Sequence, residues 1–536
     1  MASIYQSILS DGPRYLKFLV SSSTTTNTIH SRPTLLIILT ATSAAAAISY
    51  LTVTQLLHLL NKSKHSSIPG PSSHPIHGNL SIKPYEPTRS SHEYFTSIFT
   101  SFKSKIIKIQ NGLFASDFES IWISDAKEAR KVLTNKKQFT KADFFLRASG
   151  IHYGLVSLSG PEHDRHRNLL KPALSTPHLT QICIASRDIA NDLVAIWTKS
   201  IAAGTCHVNV YPAFMGLATD VLGRVFFGHE FENVASLGDS VRNDRTKGFI
   251  EAADRWNMLT GLRAMKPRYM WWYYKCTDAH VQRTLAPIYR LFMMLMHDKR
   301  VAAVQAGRDQ EQSLLDRLVM VDQEGLEKFN DIEIMEEMIS FYIAGRETTG
   351  ATLTWLFYEL AHNPHLVPIA QAEIDDIFDR DGGVVYENVN SFKYLQRLLK
   401  ETLRLHTPLP QSQSRKAVEN AEVLGHTVHA GTRIMVCLRA IHLNEEYWPN
   451  PLHFDPERFN ADVNSKHDDT TFMPFGAGTY MCIGQKVAET EIVTVVATLL
   501  RHFDIRLVQG QKFTTISVVT VRLREGLLVE LVPRNV

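Results

Sequence analysis

The strongest limit on how this chain folds is one uninterrupted helical pattern. Across residues 332–363 apolar side chains return every three or four positions: Met335, Met338, Ile339, Ile343, Leu353, Leu356 and Phe357. Asp331 supplies an N-cap, and Asn363-Pro364 a stop. At about 1.5 Å per residue the helix is roughly 45 Å long, so it has to run through a large domain. Its middle reads Ala344-Gly345-Arg346-Glu347-Thr348-Thr349. That is poor helix chemistry, because threonine is β-branched and a central glycine costs about 1 kcal/mol relative to alanine. A helix that keeps such a stretch gains something functional from it.

Further helical runs cover 366–379 and 392–406. Strand-like runs are short and fall late, at 421–428, 433–437, 516–521 and 527–531. The chain therefore reads as mainly α with small β-sheets, without internal repeats. Its 536 residues, 44% hydrophobic and 21% charged, exclude a disordered tail, a collagen-like fibre and a disulfide scaffold. A formal net charge of +3 gives no reason to expect a nucleic-acid partner. Five cysteines (Cys183, Cys206, Cys276, Cys437, Cys482) form no CxxC pair, which argues against a zinc ribbon or an iron–sulfur cluster.

The front of the chain is different. Residues 1–33 are a polar, Ser/Thr-rich segment. Residues 34–60 carry no charge, and 27 residues at ~1.5 Å each give roughly 40 Å of helix, enough to cross a bilayer core of about 30 Å. The run is too long, and too far from the start, for a signal peptide. It reads as a membrane anchor, with little orientation bias from Arg32 before it and Lys62 and Lys64 after it. Residues 61–80 follow as a proline-rich hinge (Ile68-Pro69-Gly70-Pro71, then Pro75 and Gly78-Asn79), where proline enforces extended backbone. Asn61 and Asn79 head glycosylation sequons, which stay unused if the globular domain, 81–536, faces the cytosol.

The stretch richest in chemistry is Phe475-Gly476-Ala477-Gly478-Thr479-Tyr480-Met481-Cys482-Ile483-Gly484, with a helical run from Gln485. Glycines let backbone approach a large flat ligand and turn its N–H groups toward a sulfur. A helix N-terminus beside Cys482 lowers the thiol pKa and favours the thiolate. That arrangement suits an axial thiolate on haem iron. The competing reading, a buried structural cysteine, is disfavoured by the glycine offsets and by Phe475. At these residues the chain resembles the cytochrome P450 family, whose signature Phe-x-x-Gly-x-Arg/His-x-Cys-x-Gly falls on Phe475, Gly478, Cys482 and Gly484. Tyr480 departs from it. The family usually carries a base there that pairs with a haem propionate, and tyrosine brings no positive charge.

Other residues extend the resemblance in order along the chain. Glu401-Thr402-Leu403-Arg404 puts an acid and a base on one helical face. This is similar to the family's buried Glu–Arg–Arg network, whose third member is Arg458 in Phe454-Asp455-Pro456-Glu457-Arg458-Phe459. By the same resemblance Thr348 and Glu347 are the alcohol and acid that deliver protons during dioxygen activation, beside small residues that leave a groove. Ala344 stands where some fatty-acid hydroxylases carry a glutamate esterified to haem, so the resemblance implies haem b held without a covalent link. The stretch 160–167 resembles the propionate-binding helix, with His163 in place of the usual tryptophan and Arg167 keeping its guanidinium. Arg415, after Pro408-Leu409-Pro410, matches a second propionate position. A metal site at His163 and His166 is the rival for this helix, but the sequence shows no acidic or third ligand. Phe341, Ala344, Leu409 and Pro410 fall near positions lining the family's substrate pocket.

The resemblance runs from about Pro69 to Arg534. It implies the cytochrome P450 fold preceded by an N-terminal transmembrane helix, with Cys482 as the axial iron ligand. The implied activity is a monooxygenase hydroxylating a lipophilic substrate: a steroid, fatty acid or terpenoid. No flavin or nicotinamide module is visible, so NADPH electrons come through a separate NADPH-cytochrome P450 reductase, with cytochrome b5 a candidate second donor. The expected location is the endoplasmic reticulum membrane, catalytic domain in the cytosol. Lys131, Lys136, Lys137, Arg165, Lys171 and Lys486 are candidates for a basic docking face. Residues 265–276, with five aromatics, are candidates for a membrane interface. Two other classes stay open. One is a haem-thiolate isomerase or dehydratase working without a reductase, against which Glu347-Thr348 argues. The other is an anchored haem-binding protein without turnover, made conceivable by Tyr480 and His163.

Overall fold

The computed structural model describes residues 64–72, 79, 91–110, 119–143, 148–237, 244–265, 271–306, 313–319, 329–461, 470–517 and 519–535. The anchor expected at 34–60, the polar segment before it and part of the hinge lie outside the described residues. The α-helices are α1 (Ser91–Phe102), α2 (Ala126–Thr134), α3 (Gly160–Leu170), α4 (Thr176–Ala202), α5 (Val210–Leu222), α6 (Asp244–Met265) and α7 (Asp278–Ala306). They continue as α8 (Leu314–Val319), α9 (Asp331–His362), α10 (Val367–Asp381), α11 (Lys393–Leu405), α12 (Leu438–His442) and α13 (Gln485–His502). The strands are β1 (Ile106–Gln110), β2 (Glu119–Ile123), β3 (Phe139–Lys141), β4 (His207–Asn209), β5 (Arg415–Ala417) and β6 (Ala421–Val423). After them come β7 (His426–Val428), β8 (Arg433–Val436), β9 (Phe503–Leu507), β10 (Thr515–Ser517), β11 (Val521–Leu523) and β12 (Leu528–Pro533).

The long helix, α9, runs through the main core as its periodicity predicts. Its cap lies one residue earlier than the sequence indicates. Asn330 accepts from the Glu333 N–H (2.9 Å) while the Glu333 carboxylate accepts from the Asn330 N–H (2.9 Å), a reciprocal pairing that Asp331 does not make. α5 lies close against α9: a Cβ on Gly350 would stand 2.5 Å from Met215 Sδ. Part of what the mid-helix glycines gain is therefore this close approach. α5 and the π-helical turn that continues it form an apolar stretch, Val210–Phe227, long enough to cross a membrane, but 83% of it is buried in the fold and serves as core.

The largest sheet has the order β1-β2-β8-β5-β3, with β2 and β8 parallel and Ile121 opposite Ile434. Three of its strands come early, contrary to the expectation that strands fall late. Every residue of β2 is buried, so the strand lacks the alternation that marks a half-exposed one. The single strand expected at 421–428 is a hairpin, β6–β7, turned by Leu424 and Gly425 at φ +49° and +75°. The strand expected at 516–521 is likewise split, with Ser517 of β10 paired to Val521 of β11. β12 lies between β4 and β9 in a separate sheet.

The described part of the hinge is not a free linker. The Lys108 N–H donates to the Pro69 carbonyl (2.8 Å), and Ile68 is buried. Asn79 is buried too, its amide donating to the Ser72 carbonyl (2.8 Å) and its Oδ1 accepting from the Gln110 N–H (2.9 Å). An amide engaged in this way is unavailable for glycosylation.

Replacing Asn330 by alanine removes the cap of α9 and should cost about 1 kcal/mol. The readout is a lower urea midpoint, with Asn330→Asp restoring most of the loss.

Candidate active site

The loop ahead of α13 is built around Cys482. The Gly476 N–H donates to Met473 O (3.0 Å), and the Cys482 N–H donates to Phe475 O (2.9 Å), so the loop folds back on Phe475. Gly478 has φ +74°, and a Cβ there would lie 2.7 Å from Leu133 O at the end of α2. Both facts demand glycine. Gly484 caps α13 at its N-terminus.

The thiol differs from the sequence expectation. Burial pushes the Cys482 pKa up, against the lowering by the Gly484 N–H and the Arg167 guanidinium. Desolvation outweighs the helix N-terminus here, and it is a coordinated metal ion that deprotonates such a thiol outright. Cys482 nevertheless keeps exposed surface. So does Ala344, in the middle of α9 between buried Tyr342, Ile343, Arg346 and Glu347. Exposure at such interior positions marks an open slot.

Cations gather around Tyr480. Lys141 Nζ stands 5.0 Å and the Arg415 guanidinium 4.9 Å from its ring centroid, and His163 meets it edge-on at 4.6 Å. The Tyr480 phenol oxygen accepts from the Gly160 N–H (3.4 Å), and Arg167 donates to Met481 O (3.0 Å). Among the described residues Lys141, Arg167 and Arg415 donate to backbone carbonyls, and the buried Arg415 Nε has no partner. Burial lowers the pKa of Lys141 to about 7, of Arg415 to about 10 and of His163 to about 4. Buried cations held by carbonyls rather than by a paired carboxylate favour a bound anion. A thiol in an open slot beside such a cluster fits a haem with its two propionates. Lys141 carried no sequence signal, yet it stands where Tyr480 leaves a charge missing.

A cytochrome P450 family model matches residues 68–526. The chain belongs to the cytochrome P450 family. It is 27% identical to cytochrome P450 4c21 of Blattella germanica, over 83% of this chain and 89% of that one. It is 26% identical to cytochrome P450 4V2 of Homo sapiens, over 79% and 82%. The 11-oxo-beta-amyrin 30-oxidase of Glycyrrhiza uralensis is also 26% identical, over 75% and 77%. The family binds haem through a cysteine thiolate, receives NADPH electrons through a reductase, and its members are monooxygenases.

In this P450 the structure brings Glu401, Arg404 and Arg458 together in the interior. Arg404 grips Glu401 with two parallel bonds (Nε–Oε2 2.6 Å, Nη2–Oε1 2.7 Å), and Arg458 Nε lies 3.3 Å from Glu401 Oε1. Arg404 Nη1 also donates to the carbonyls of His442 (2.9 Å) and Pro451 (2.8 Å). The His442 ring then accepts from the Met473 N–H (3.1 Å), where the cysteine loop begins. Burial, with Arg404 and Arg439 nearby, lowers His442 to about 3, so the ring is neutral and able to accept. His442 is a connecting residue that the sequence reading missed.

Glu347 and Thr348 point to different partners. Thr348 Oγ1 donates to Ala344 O (2.6 Å), while Glu347 Oε1 pairs with Arg346 Nη1 (2.7 Å), which also holds Asp254 of α6 (2.8 Å). Phe341 is half-buried against Phe226, Leu409 is exposed and Pro410 is buried. His163 and His166 do not share a site. His163 meets Tyr480, whereas Glu162, one turn earlier on α3, and Glu333 of α9 surround His166, acids that the sequence reading did not count as ligands. Arg165 already occupies that cluster, donating to Glu333 and standing 2.8 Å from His166 Nε2. On the basic face Lys131, Lys136, Arg165 and Lys486 are ion-paired to neighbouring acids.

Arg404→Leu strands Glu401 in the interior and should cost roughly 3–5 kcal/mol. Arg404→Lys should not rescue it, because an ammonium lacks the fork; unfolding midpoints and haem content report both. Lys141 gives a pH prediction. Its folded pKa of about 7 lies below the ordinary 10.5, so between these values the unfolded chain holds a proton that the folded chain does not. Its burial penalty is therefore full below about pH 7 and fades as pH rises toward 10.5. In haem-free protein Lys141→Met should raise the melting temperature most at the acid end of that window. In holoenzyme it should speed haem loss to a scavenging apoprotein.

Proposed function

We propose that this P450 hydroxylates a lipophilic small molecule of the steroid, fatty-acid or terpenoid kind, with electrons from a separate NADPH-cytochrome P450 reductase. The observation that carries the reading is the ridge of α9 where exposed Ala344 is followed by Thr348, with Phe341 packed on Phe226 beside it. An apolar ligand lying there meets carbon, with one hydroxyl at its end. A relative named for oxidising 11-oxo-beta-amyrin supports a substrate of that character.

The residues divide the work. Cys482 would hold the iron of a bound haem, and Arg167, Arg415 and Lys141 would hold its propionates, with the neutral His163 against Tyr480. Haem bound there supplies activation of dioxygen for insertion of one oxygen atom into a C–H bond. Thr348 keeps its hydroxyl proton on Ala344 O and so turns its lone pairs toward the open slot. Glu347 carries protons to that region by exchanging its contact with Arg346 for one with Thr348 or a water. The Glu401–Arg404–Arg458 network fixes the loop behind the haem. We further place the chain on the endoplasmic reticulum through the anchor at 34–60, with cytochrome b5 as a second donor. Exposed Trp272 and Tyr273, 73% and 53% accessible, support contact with the membrane interface.

The test is turnover under ¹⁸O₂ with NADPH and reductase over a panel of lipophilic substrates. One labelled oxygen per product is expected. Thr348→Ala should lower product per NADPH by about 10²-fold, with the missing electrons appearing as peroxide. Product formed from a hydroperoxide alone, without NADPH or label from O₂, would replace this reading with the isomerase or dehydratase.

A further inference from the structure

Glu337 is the most deeply buried acid of α9, and neither the haem cradle nor the Glu347–Thr348 pair uses it. Its Oε1 lies 2.6 Å from Nδ1 of His166 on α3, and His166 is buried as well. The far edge of the imidazole meets two groups of opposite demand. Arg165 Nη2, a donor, stands 2.8 Å from Nε2, while Glu333 Oε1, an acceptor, stands 3.4 Å from it. Arg165 also donates to Glu333 and, through Nε, to Glu162 Oε2 (3.0 Å). A donor at 2.8 Å requires Nε2 without a hydrogen, which puts the ring hydrogen on Nδ1, between His166 and Glu337. Glu333 is already in place to accept from Nε2 once a second proton arrives there.

The pair is joined at its inner end to the cations around Tyr480. Burial pushes the Glu337 pKa up, against the lowering by His166, the Leu155 N–H and the Lys141 ammonium. Leu155 therefore faces both charges, with its N–H toward Glu337 and its carbonyl accepting from Lys141 Nζ (2.8 Å). Lys141 in turn stands 5.0 Å from the Tyr480 ring. The titratable groups around the pair are Glu162 and Arg165 of α3, Glu333 of α9 and Lys141 at the end of β3. Phe329 covers the imidazole edge-on at 4.9 Å. Glu162 is exposed and Lys141 buried, so the series runs from solvent to the haem cradle. A change of charge at the pair is weakly screened on that path.

We propose that His166 and Glu337 are a proton-storing pair that takes up one proton from solvent when the haem accepts an electron, with Arg165 as the shutter at its entrance. The proposal rests on the reading of the Cys482 site as the haem site. With one proton between Nδ1 and Oε1 the pair carries one negative charge. The second proton enters at Nε2 and is held by Glu333, while Arg165 gives up Nε2 and keeps Glu162. The pair is then neutral. One electron from the reductase adds a negative charge at the haem, and one proton from water removes one at the pair, so the charge of the site is conserved. Both residues act through Lys141 and are positioning residues.

The test uses full-length holoenzyme whose CO difference spectrum confirms thiolate ligation. The iron midpoint potential is read against pH by electrochemical titration without substrate. In the wild type it should rise as pH falls, by about 59 mV for each tenfold gain in the pair's proton affinity on reduction. Glu337→Gln replaces the negative charge by a neutral group of the same shape. Its potential should be independent of pH and equal to the acid limit of the wild type. Arg165→Gln, a surface change, should keep the slope and move it to higher pH, because the competitor for Nε2 is gone. Glu333→Gln should move it to lower pH, because the protonated Nε2 loses its anionic acceptor. A wild-type potential independent of pH, a slope that survives in Glu337→Gln, or a slope that Arg165→Gln leaves in place overturns the pair alone, provided the CO spectrum is normal. A wild-type enzyme without thiolate-type CO binding overturns the functional reading and the pair with it.

Discussion

Glu401 and Arg404 are both fully withdrawn from water, and the geometry of the cysteine loop hangs on their pairing. Burying two charges costs several kcal/mol per ion, recovered only when every donor and acceptor is matched. Arg404 meets that condition by spreading its donors over Glu401, His442, Pro451 and, at 3.4 Å, the His453 carbonyl. A pair of this kind contributes position more than stability. The position passes through the neutral His442 ring to the Met473 amide, then through Met473 O to Gly476, and Phe475 O fixes the Cys482 amide. Each link is directional, so a displacement of α11 reaches the sulfur without a change of sequence in the loop.

The other side of the slot shows the opposite economy of charge. Lys141 and Arg415 lie buried beside Tyr480 and half-buried Arg167 donates to Met481 O, each held by backbone carbonyls, and burial depresses the pKa of each. The haem-free chain thus carries an electrostatic penalty that a dianionic ligand relieves, and cofactor binding and folding become linked. Tyr480 is compatible with this arrangement because its ring face receives two cations where the family's base supplies one. α9 divides its faces accordingly. Its glycines admit α5, Arg346 ties Glu347 to α6, and the ridge from Ala344 to Thr348 is left open.

The parts of this arrangement legible in the sequence were those whose chemistry sits within a few residues. The loop 475–484, the Glu401/Arg404 spacing and the long helix declare themselves through offsets that local geometry explains. The cap of α9 was misplaced by one residue because Asn330 and Asp331 are both good caps, and only the reciprocal bond with Glu333 separates them. The two hairpins read as strands because the alternation does not register a tight turn. Lys141 and His442 were illegible for a different reason. Each does its work through partners far away in the chain, Lys141 beside Tyr480 and His442 between Arg404 and Met473, and no periodicity encodes such proximity. The same holds for Glu333 beside His166, whereas Glu162 stands four residues before that histidine on α3 and was overlooked although helix spacing puts the two on one face.

The central claim is that Cys482 carries a haem as its thiolate ligand in a site whose charge is completed by Lys141 and Arg415. The CO difference spectrum of the reduced, membrane-expressed chain, beside a Cys482→Ser control, tests it most directly. The account predicts a strongly red-shifted Soret band in the wild type that is absent from the control. A band typical of a nitrogenous or neutral ligand in intact, gently handled membranes, or the same band in both proteins, would contradict it.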